Sequence, residues 1–247
     1  MSLETLADGY GVRRRNRRLL FTKSSTWDLR WTNAVKYASD LGADLQSMRE
    51  AAIFRMEAKG ADYSDREQIT RTGALFIVRN GKVYVAFDDD IERNLIISHA
   101  SSRCGTRSHN YFAPLMDEGL QFALERAEKT GRIAEVQEIE SLELQLTMGK
   151  NGFSLHPIVQ AILGDVSRDY ARYSRIIREG QYQGEYMYQT VSFPPASYII
   201  YNTGYNALLR PVLLWPIETR GSIVIADSDG FARGVIREQS AHPQSFP

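Results

Sequence analysis

The chain has a single cysteine, Cys104, among its 247 residues. An internal disulfide is therefore impossible, and a zinc site built from several thiolates is excluded. Neither sign of charge is in excess, since 30 lysines and arginines balance 30 aspartates and glutamates. A general nucleic-acid binder usually carries a basic surplus, so the composition as a whole counts against that class. No apolar run approaches the ~18 residues of a membrane span, and the N-terminus has no apolar signal-peptide core. Glycine-rich phosphate loops, G-x-S-x-G elbows and H-E-x-x-H helices are all missing, so no common catalytic motif names a reaction.

What is present reads as an ordinary globular chain. Its 43% hydrophobic and 11% aromatic content is too high for a disordered protein. A chain of this length buries about 70–75% of its unfolded surface and needs no metal or cross-link as a staple. Trp31 to Glu50 is the most informative stretch. Trp31, Ala34, Val35, Ala38 and Leu41 fall on one helical face, and Gly42 stands where a left-handed C′ residue is needed. Ser47 and Glu50 form an S-x-x-E capping box for a second helix, roughly Met48 to Lys59, that stops at Gly60. Ser64 and Glu67 offer another capping box for a short turn of helix.

The firmest strand signal is ALFIVR-NG-KVYVAF. Asn80-Gly81 is the favoured pair for a type I′ hairpin turn. That turn pairs Val78 with Val83, Phe76 with Val85 and Ala74 with Phe87, placing six apolar residues on one face.

From Pro114 to Gly180 the pattern turns helical. Leu120, Ala123, Leu124 and Ala127 make a stripe that stops at Gly131. Leu142, Leu144 and Leu146 alternate like a half-buried strand. Pro157 suits the first turn of a helix ending at Gly164, and Val166 to Glu179 gives another. His156, just before Pro157, reads as a capping or packed histidine. Strand character returns from Tyr186, with Pro211 predicting an edge or bulged strand. Asp227-Ser228-Asp229-Gly230 reads as the loop of a terminal hairpin. The expected architecture is α+β: an antiparallel or mixed sheet of N- and C-terminal strands with a helical central region. The chain reads as one domain, residues 1–247. Its parts are a basic arm (1–18), a helix pair and hairpin (19–113), the helical centre (114–180) and the C-terminal strands (181–240).

Trp31, Ala34, Tyr37, Ala38, Leu41, Gly42, Leu45, Ser47 and Glu50 together resemble the early helix of C-type-lectin-like domains. In that family a tryptophan-and-alanine helix is followed by a glycine, a leucine and a second helix bearing a glutamate. The closing DGFARGVIRE, Asp229 to Glu238, looks like the last strand of cysteine-poor members. Those include the formylglycine-generating enzyme group and the variable proteins of diversity-generating retroelements. The resemblance implies a final strand joined to the N-terminal strand and a helical insertion between the matching ends. The disulfide cysteines and the EPN and WND motifs of calcium and sugar binding are absent, so no catalytic or sugar-binding residue carries over.

Several side chains are candidates for chemistry. Cys104 lies in SHASSRCGTRSHNY between His99 and His109. A thiolate beside Arg103, Arg107 and a histidine could act as a nucleophile in a hydrolase or transferase, although a lone cysteine is usually an inert small hydrophobe. Arg13, Arg14, Arg15, Arg17 and Arg18 in RRRNRR could grip the phosphates of a nucleic acid, or simply form a solvated arm. Asp88, Asp89, Asp90 and Glu92 could hold a divalent cation, against the plainer reading of a solvated turn. No metal or other cofactor is expected. The late aromatic cluster, with Tyr201, Tyr205 and Trp215 beside Arg233, suits a ligand-binding surface, including one that stacks on a glycan. The favoured reading is thus a non-catalytic recognition or assembly protein with a protein partner or self-assembly. The lack of a visible leader and of disulfides suits a cytoplasmic protein or a virion component.

Overall fold

The computed structural model describes residues 2–14, 17–89, 111–114, 118–138, 145–148, 152–181, 189–192, 206–214, 223–225 and 230–236. Five strands near the chain ends come first: β1 (Ser2–Leu6), β2 (Gly9–Arg14), β3 (Arg17–Thr22), β4 (Asp44–Leu45) and β13 (Gly234–Ile236). They form an antiparallel sheet in the order β1-β2-β3-β13-β4. The second sheet uses β5 (Gln68–Arg79), β6 (Lys82–Asp88), β7 (Tyr111–Pro114), β8 (Ile133–Glu138), β9 (Gln145–Met148), β10 (Gln189–Ser192), β11 (Asn206–Leu214) and β12 (Ile223–Ile225). Its order is β8-β6-β5-β11-β12-β10-β9, with β7 beside β11, and among the described strands only the β10–β12 pair is parallel. The chain is therefore α+β with antiparallel and mixed sheets.

The helix pair forms as its sequence dictates. Helix α1 (Trp31–Asp40) buries Ala34 and Ala38, and Gly42 follows its end at φ +66°. Leu41 lies beyond the last turn and is exposed, so the apolar stripe is one residue shorter than its spacing predicts. Helix α2 (Met48–Ala58) begins with the full capping box: Ser47 Oγ accepts from Glu50 N–H while the Glu50 carboxylate accepts from Ser47 N–H. Such a cap is worth about 1 kcal/mol. This helix is buried on nearly every side, as befits one that packs against both β5 and β11 and against further helices.

The hairpin also follows its sequence. Val78 pairs with Val83, Phe76 with Val85 and Ala74 with Phe87, and Asn80 and Gly81 take φ +52° and +75° as a type I′ turn requires. Leu75, Ile77 and Ala86 on the other face are buried too, so the hairpin is covered on both sides.

Helices α3 (Glu118–Lys129), α4 (Pro157–Leu163) and α5 (Ser167–Gln181) complete the frame. Pro157 opens α4, and His156 caps it by accepting the Ile158 N–H on Nδ1. Burial pushes the His156 ring pKa down, consistent with a neutral imidazole in that role. One apolar cluster joins Val12 and Phe21 of the first sheet, Phe54 of α2, Phe76 and Phe87 of the hairpin, Ile162 of α4, Tyr170 of α5 and Val235 of β13.

Three expectations are corrected and two are met. The basic stretch 13–18 is not an arm: Arg13 and Arg14 close β2, and Arg17 and Arg18 open β3, as rungs Arg13↔Arg18 and Arg14↔Arg17. The neighbouring Val12 and Phe21 are core residues, and their burial carries the arginines into the sheet. Ser64 starts no helix, because its hydroxyl accepts from Gly60 N–H behind it. Pro211 fulfils the bulged alternative of its expectation: it sits in a strand bonded on both sides, and the ladder slips beside it between Pro211 and Leu213. β12 and β13 belong to different sheets and make no terminal hairpin. The last strand joins the N-terminal strand β3 at Phe21 and Leu20, as the resemblance implies.

Candidate functional site

The turn that follows α2 is the most constrained piece of surface. Lys59, Gly60, Asp62 and Tyr63 take φ of +48°, +91°, +51° and +59°. Left-handed backbone suits glycine but costs energy at a tyrosine, and such strain persists only where surrounding contacts over-determine it. Here they do. Arg233, at the start of β13 and 0% exposed, donates from Nη1 to Asp62 Oδ2 at 2.5 Å and from Nη2 to the Asp62 carbonyl at 2.6 Å. Asp62 Oδ2 also accepts Ser24 N–H at 2.9 Å. Arg55 of α2, 1% exposed, donates to the carbonyls of Ser64, Arg66 and Leu214 and to Tyr170 Oη. Gln68 Nε2 donates to the Tyr63 carbonyl at 2.7 Å. Three buried polar side chains thus hold one surface turn.

The Arg233 guanidinium lies 3.8 Å from the Phe54 ring centroid, so one face of its plane is covered while its edge carries the hydrogen bonds. Burial pulls its pKa down and Asp62 pulls it back up, and a guanidinium stays charged across any ordinary pH. Burial first, and then the Asp62 charge, push the Tyr10 and Tyr37 hydroxyls above their usual range, so neither supplies a phenolate.

What the clamped turn displays is aromatic. Tyr63 stacks on Phe231 with ring centroids 4.7 Å apart and planes within 10°. The segment 24–29 is bound to the same C-terminal segment on either side of Phe231, through Ser25 N–H to Ala232 O and Leu29 N–H to Gly230 O. Trp27 is carried between these two anchor points and is 67% exposed, while Tyr63 is 42% exposed. Loop, turn and C-terminal segment converge on one aromatic ledge.

A second polar cluster lies at the end of β6. Asp88 is ion-paired with Arg126, and Asp89 with Arg132 at 2.7 Å. Thr72 Oγ1 donates to Asp89 and accepts the Met48 N–H at the start of α2. Burial alone would push the Asp89 carboxyl up, but the Arg132 charge and the Arg132 and Thr72 hydrogen bonds outweigh it and hold the carboxyl below the usual range. These carboxylates are occupied by arginines, which corrects both the solvated-turn and the cation-site readings for Asp88 and Asp89. Among the described residues no group of three or more His, Cys, Asp or Glu could hold a metal ion.

The residues singled out in the sequence fall in different places. Arg233 is no part of an exposed surface: it is fully buried and serves the turn from beneath. Among the clustered arginines, Arg14 is buried and bonded to Asp169 at 2.5 Å, Arg18 pairs with Glu4 at 2.7 Å, and Arg13 is exposed. Arg15, Cys104, His99, His109, Asp90, Glu92, Tyr201, Tyr205 and Trp215 lie outside the described residues, as does the side chain of Arg17. Sequence reasoning missed Arg55, Asp62, Tyr63 and Trp27. A signal existed for Arg55, which shares the helical face of Met48, Ala51 and Ala52 inside an otherwise apolar run. None existed for Asp62, whose role depends on a partner far along the chain.

No protein-family model matches this sequence, and no curated protein matches it. Among solved structures, the chain is similar to one from Nanoarchaeota described as accommodating massive sequence variation by the C-type lectin fold. The TM-score is 0.53 at 11% identity, over 89% of this chain and 97% of that one. The chain has the C-type lectin fold. The likeness expected from the two end segments extends across most of its length.

Proposed function

We propose that this protein is a non-catalytic recognition protein whose contact surface centres on the ledge of Trp27, Tyr63 and Phe231. The observation that carries the reading is the clamped turn, where Arg55, Arg233 and Gln68 hold Tyr63 in a conformation a tyrosine would not choose. A folding core gains little from fixing an exposed residue this firmly, whereas a binding surface gains preorganisation, because side chains ordered beforehand lose less entropy on contact. Tryptophan and tyrosine dominate the energetically important positions of protein interfaces. The ion pairing of Asp88, Asp89 and Asp62 also leaves these carboxylates poorly suited to acid–base work. Recognition by a C-type lectin fold accords with this reading. Tyr201, Tyr205 and Trp215 remain candidates for the same role on residue type.

The test is photo-crosslinking in the producing cell. Benzoylphenylalanine placed at position 27 or 63 is expected to capture a protein on irradiation. The same probe at Asp40, on the exposed end of α1, is expected to capture none. Equal capture from all three positions, or none from 27 and 63, overturns the reading.

A further inference from the structure

We propose that α4 is an acid-sensitive latch: protonation of the His156 ring removes the cap of this helix and frees its first turn from the core. The cap itself carries the argument. Ile158 N–H donates to His156 Nδ1 at 3.3 Å. A backbone N–H can only donate, so Nδ1 must hold a lone pair and the ring proton sits on Nε2. A proton on Nδ1 replaces that acceptor with a donor facing a donor, and it sets a positive charge at the positive end of a helix. Pro157 has no N–H, so Ile158 supplies the first one of the helix. Ile158 is 0% exposed, and water does not replace the lost acceptor there. The His156 backbone is fixed by its own N–H to Gly152 O at 3.0 Å, which leaves the ring as the part that responds.

What the latch holds is substantial. Ile158, Val159, Ile162 and Leu163 are buried against α2, β6 and β8, and Ala161 O accepts Arg132 Nε–H at 3.1 Å. Neither α4 nor the turn Phe153–Leu155 before it carries a charged side chain. The neighbouring elements bring charge that is committed away from the ring: Arg132 to Asp89, Glu135 of β8 to Lys82 of β6, Arg49 of α2 to Asp165, and Asp169 of α5 to Arg14. Arg168 and Arg172 of α5 are exposed, and burial is the cause of the lowered His156 pKa. A histidine depressed in the folded state contributes stability that is complete above its unfolded pKa of ~6.5 and declines as pH falls toward the folded value.

The experiment is amide hydrogen exchange on the full chain, read by NMR as protection factors so that the intrinsic effect of pH on exchange is removed. In wild type, protection of the Ile158 amide is expected to fall about five-fold between roughly pH 7.5 and pH 5, the scale of a lost cap. Protection of Phe76, in the centre of β5, is expected to stay constant over that range. His156→Asn keeps an acceptor at the cap but does not titrate, and its Ile158 protection is expected to be flat. The wild-type ring is titrated on the same sample through its carbon-bound protons, a reading that needs no variant, and its midpoint is expected below ~6.5. Flat Ile158 protection in wild type, an equal fall in His156→Asn, an equal fall at Phe76, or a ring midpoint at or above ~6.5 each overturns the latch.

Discussion

Two populations of arginine can be set side by side: the run Arg13–Arg18, and the isolated pair Arg55 and Arg233. The run is conspicuous in the sequence, yet Arg13 faces solvent and Arg18 joins an exposed pair with Glu4. Of the isolated two, Arg55 passes unnoticed and Arg233 reads as a surface residue, yet both are buried and between them bond to five backbone carbonyls, those of Ser64, Arg66, Leu214, Asp62 and Thr22. Local charge density reports solvation, whereas the energetic weight of a guanidinium depends on what it leaves unpaired when removed. A buried carbonyl or carboxylate that loses its donor has no water to replace it.

The sharpest way to break this comparison is Arg233→Met. It leaves the Asp62 carboxylate without its guanidinium and the Asp62 carbonyl without a donor. Loss of one partner from a buried pair costs about 3–5 kcal/mol, and urea unfolding should show a loss on that scale. Arg55→Met should cost a similar amount. Arg233→Lys should recover only part, since an ammonium cannot reach Oδ2 and the carbonyl together as a planar fork does. A loss below about 1 kcal/mol for both methionine variants would erase the distinction between the two populations.

Arg14 sharpens the comparison from within the run. It alone of the described arginines there is buried, and its partner Asp169 is half exposed. Arg14→Ala should cost an intermediate amount, roughly 1–2 kcal/mol, with the loss shared between the hydrogen bond and packing of the stem. A value equal to that of Arg18→Ala would show that position in the run decides the effect and burial does not.

Arginine also sets the acid limit through Asp89. Its carboxyl is held below the usual range by Arg132 and Thr72 against the opposing effect of burial. A carboxyl depressed in the folded state contributes stability that is complete above its unfolded pKa of ~3.9 and is lost as pH falls through the folded value. Asp89→Asn should therefore lower stability at neutral pH and flatten the decline measured below about pH 4. An unchanged slope of unfolding free energy against pH in that range would remove Asp89 from the account.

How much of this was legible follows from the range of each interaction. The capping box of Ser47 and Glu50, the Asn80-Gly81 turn and the α4 start at Pro157 rest on residues within a few positions of one another, and the sequence displays them directly. The register Val78↔Val83 then follows from the turn alone. The ledge was not legible because it joins Trp27, Tyr63 and Phe231, brought together by bonds between segments more than a hundred residues apart. The left-handed Tyr63 contradicts its own propensity and is explained only by Arg233 and Gln68. Arg233 was noticed as a surface residue because arginine is rarely buried, and that base rate fails where a carboxylate and an aromatic face await it. The C-type-lectin-like ends could be read from α1, α2 and the last strand. The path by which β13 enters between β3 and β4 could not, since it depends on a crossover spanning the whole chain.

The smallest effect completes the comparison. Arg18 and Glu4 pair at 2.7 Å across adjacent strands, with both side chains well exposed. Water and salt can replace either partner, so Arg18→Ala should cost only about 0.2–1 kcal/mol, and the difference from wild type should shrink as salt rises. Arg13→Ala should fall within about 0.5 kcal/mol of zero. The same variants test whether the run has any phosphate-binding role. If binding to a double-stranded DNA probe is detectable and weakens steeply with added salt in wild type, replacing Arg13 and Arg18 together should reduce that slope by roughly two. A flat salt response leaves the run as a solvated hairpin tip. The buried Arg55 and Arg233 are then the arginines on which the surface of this protein depends.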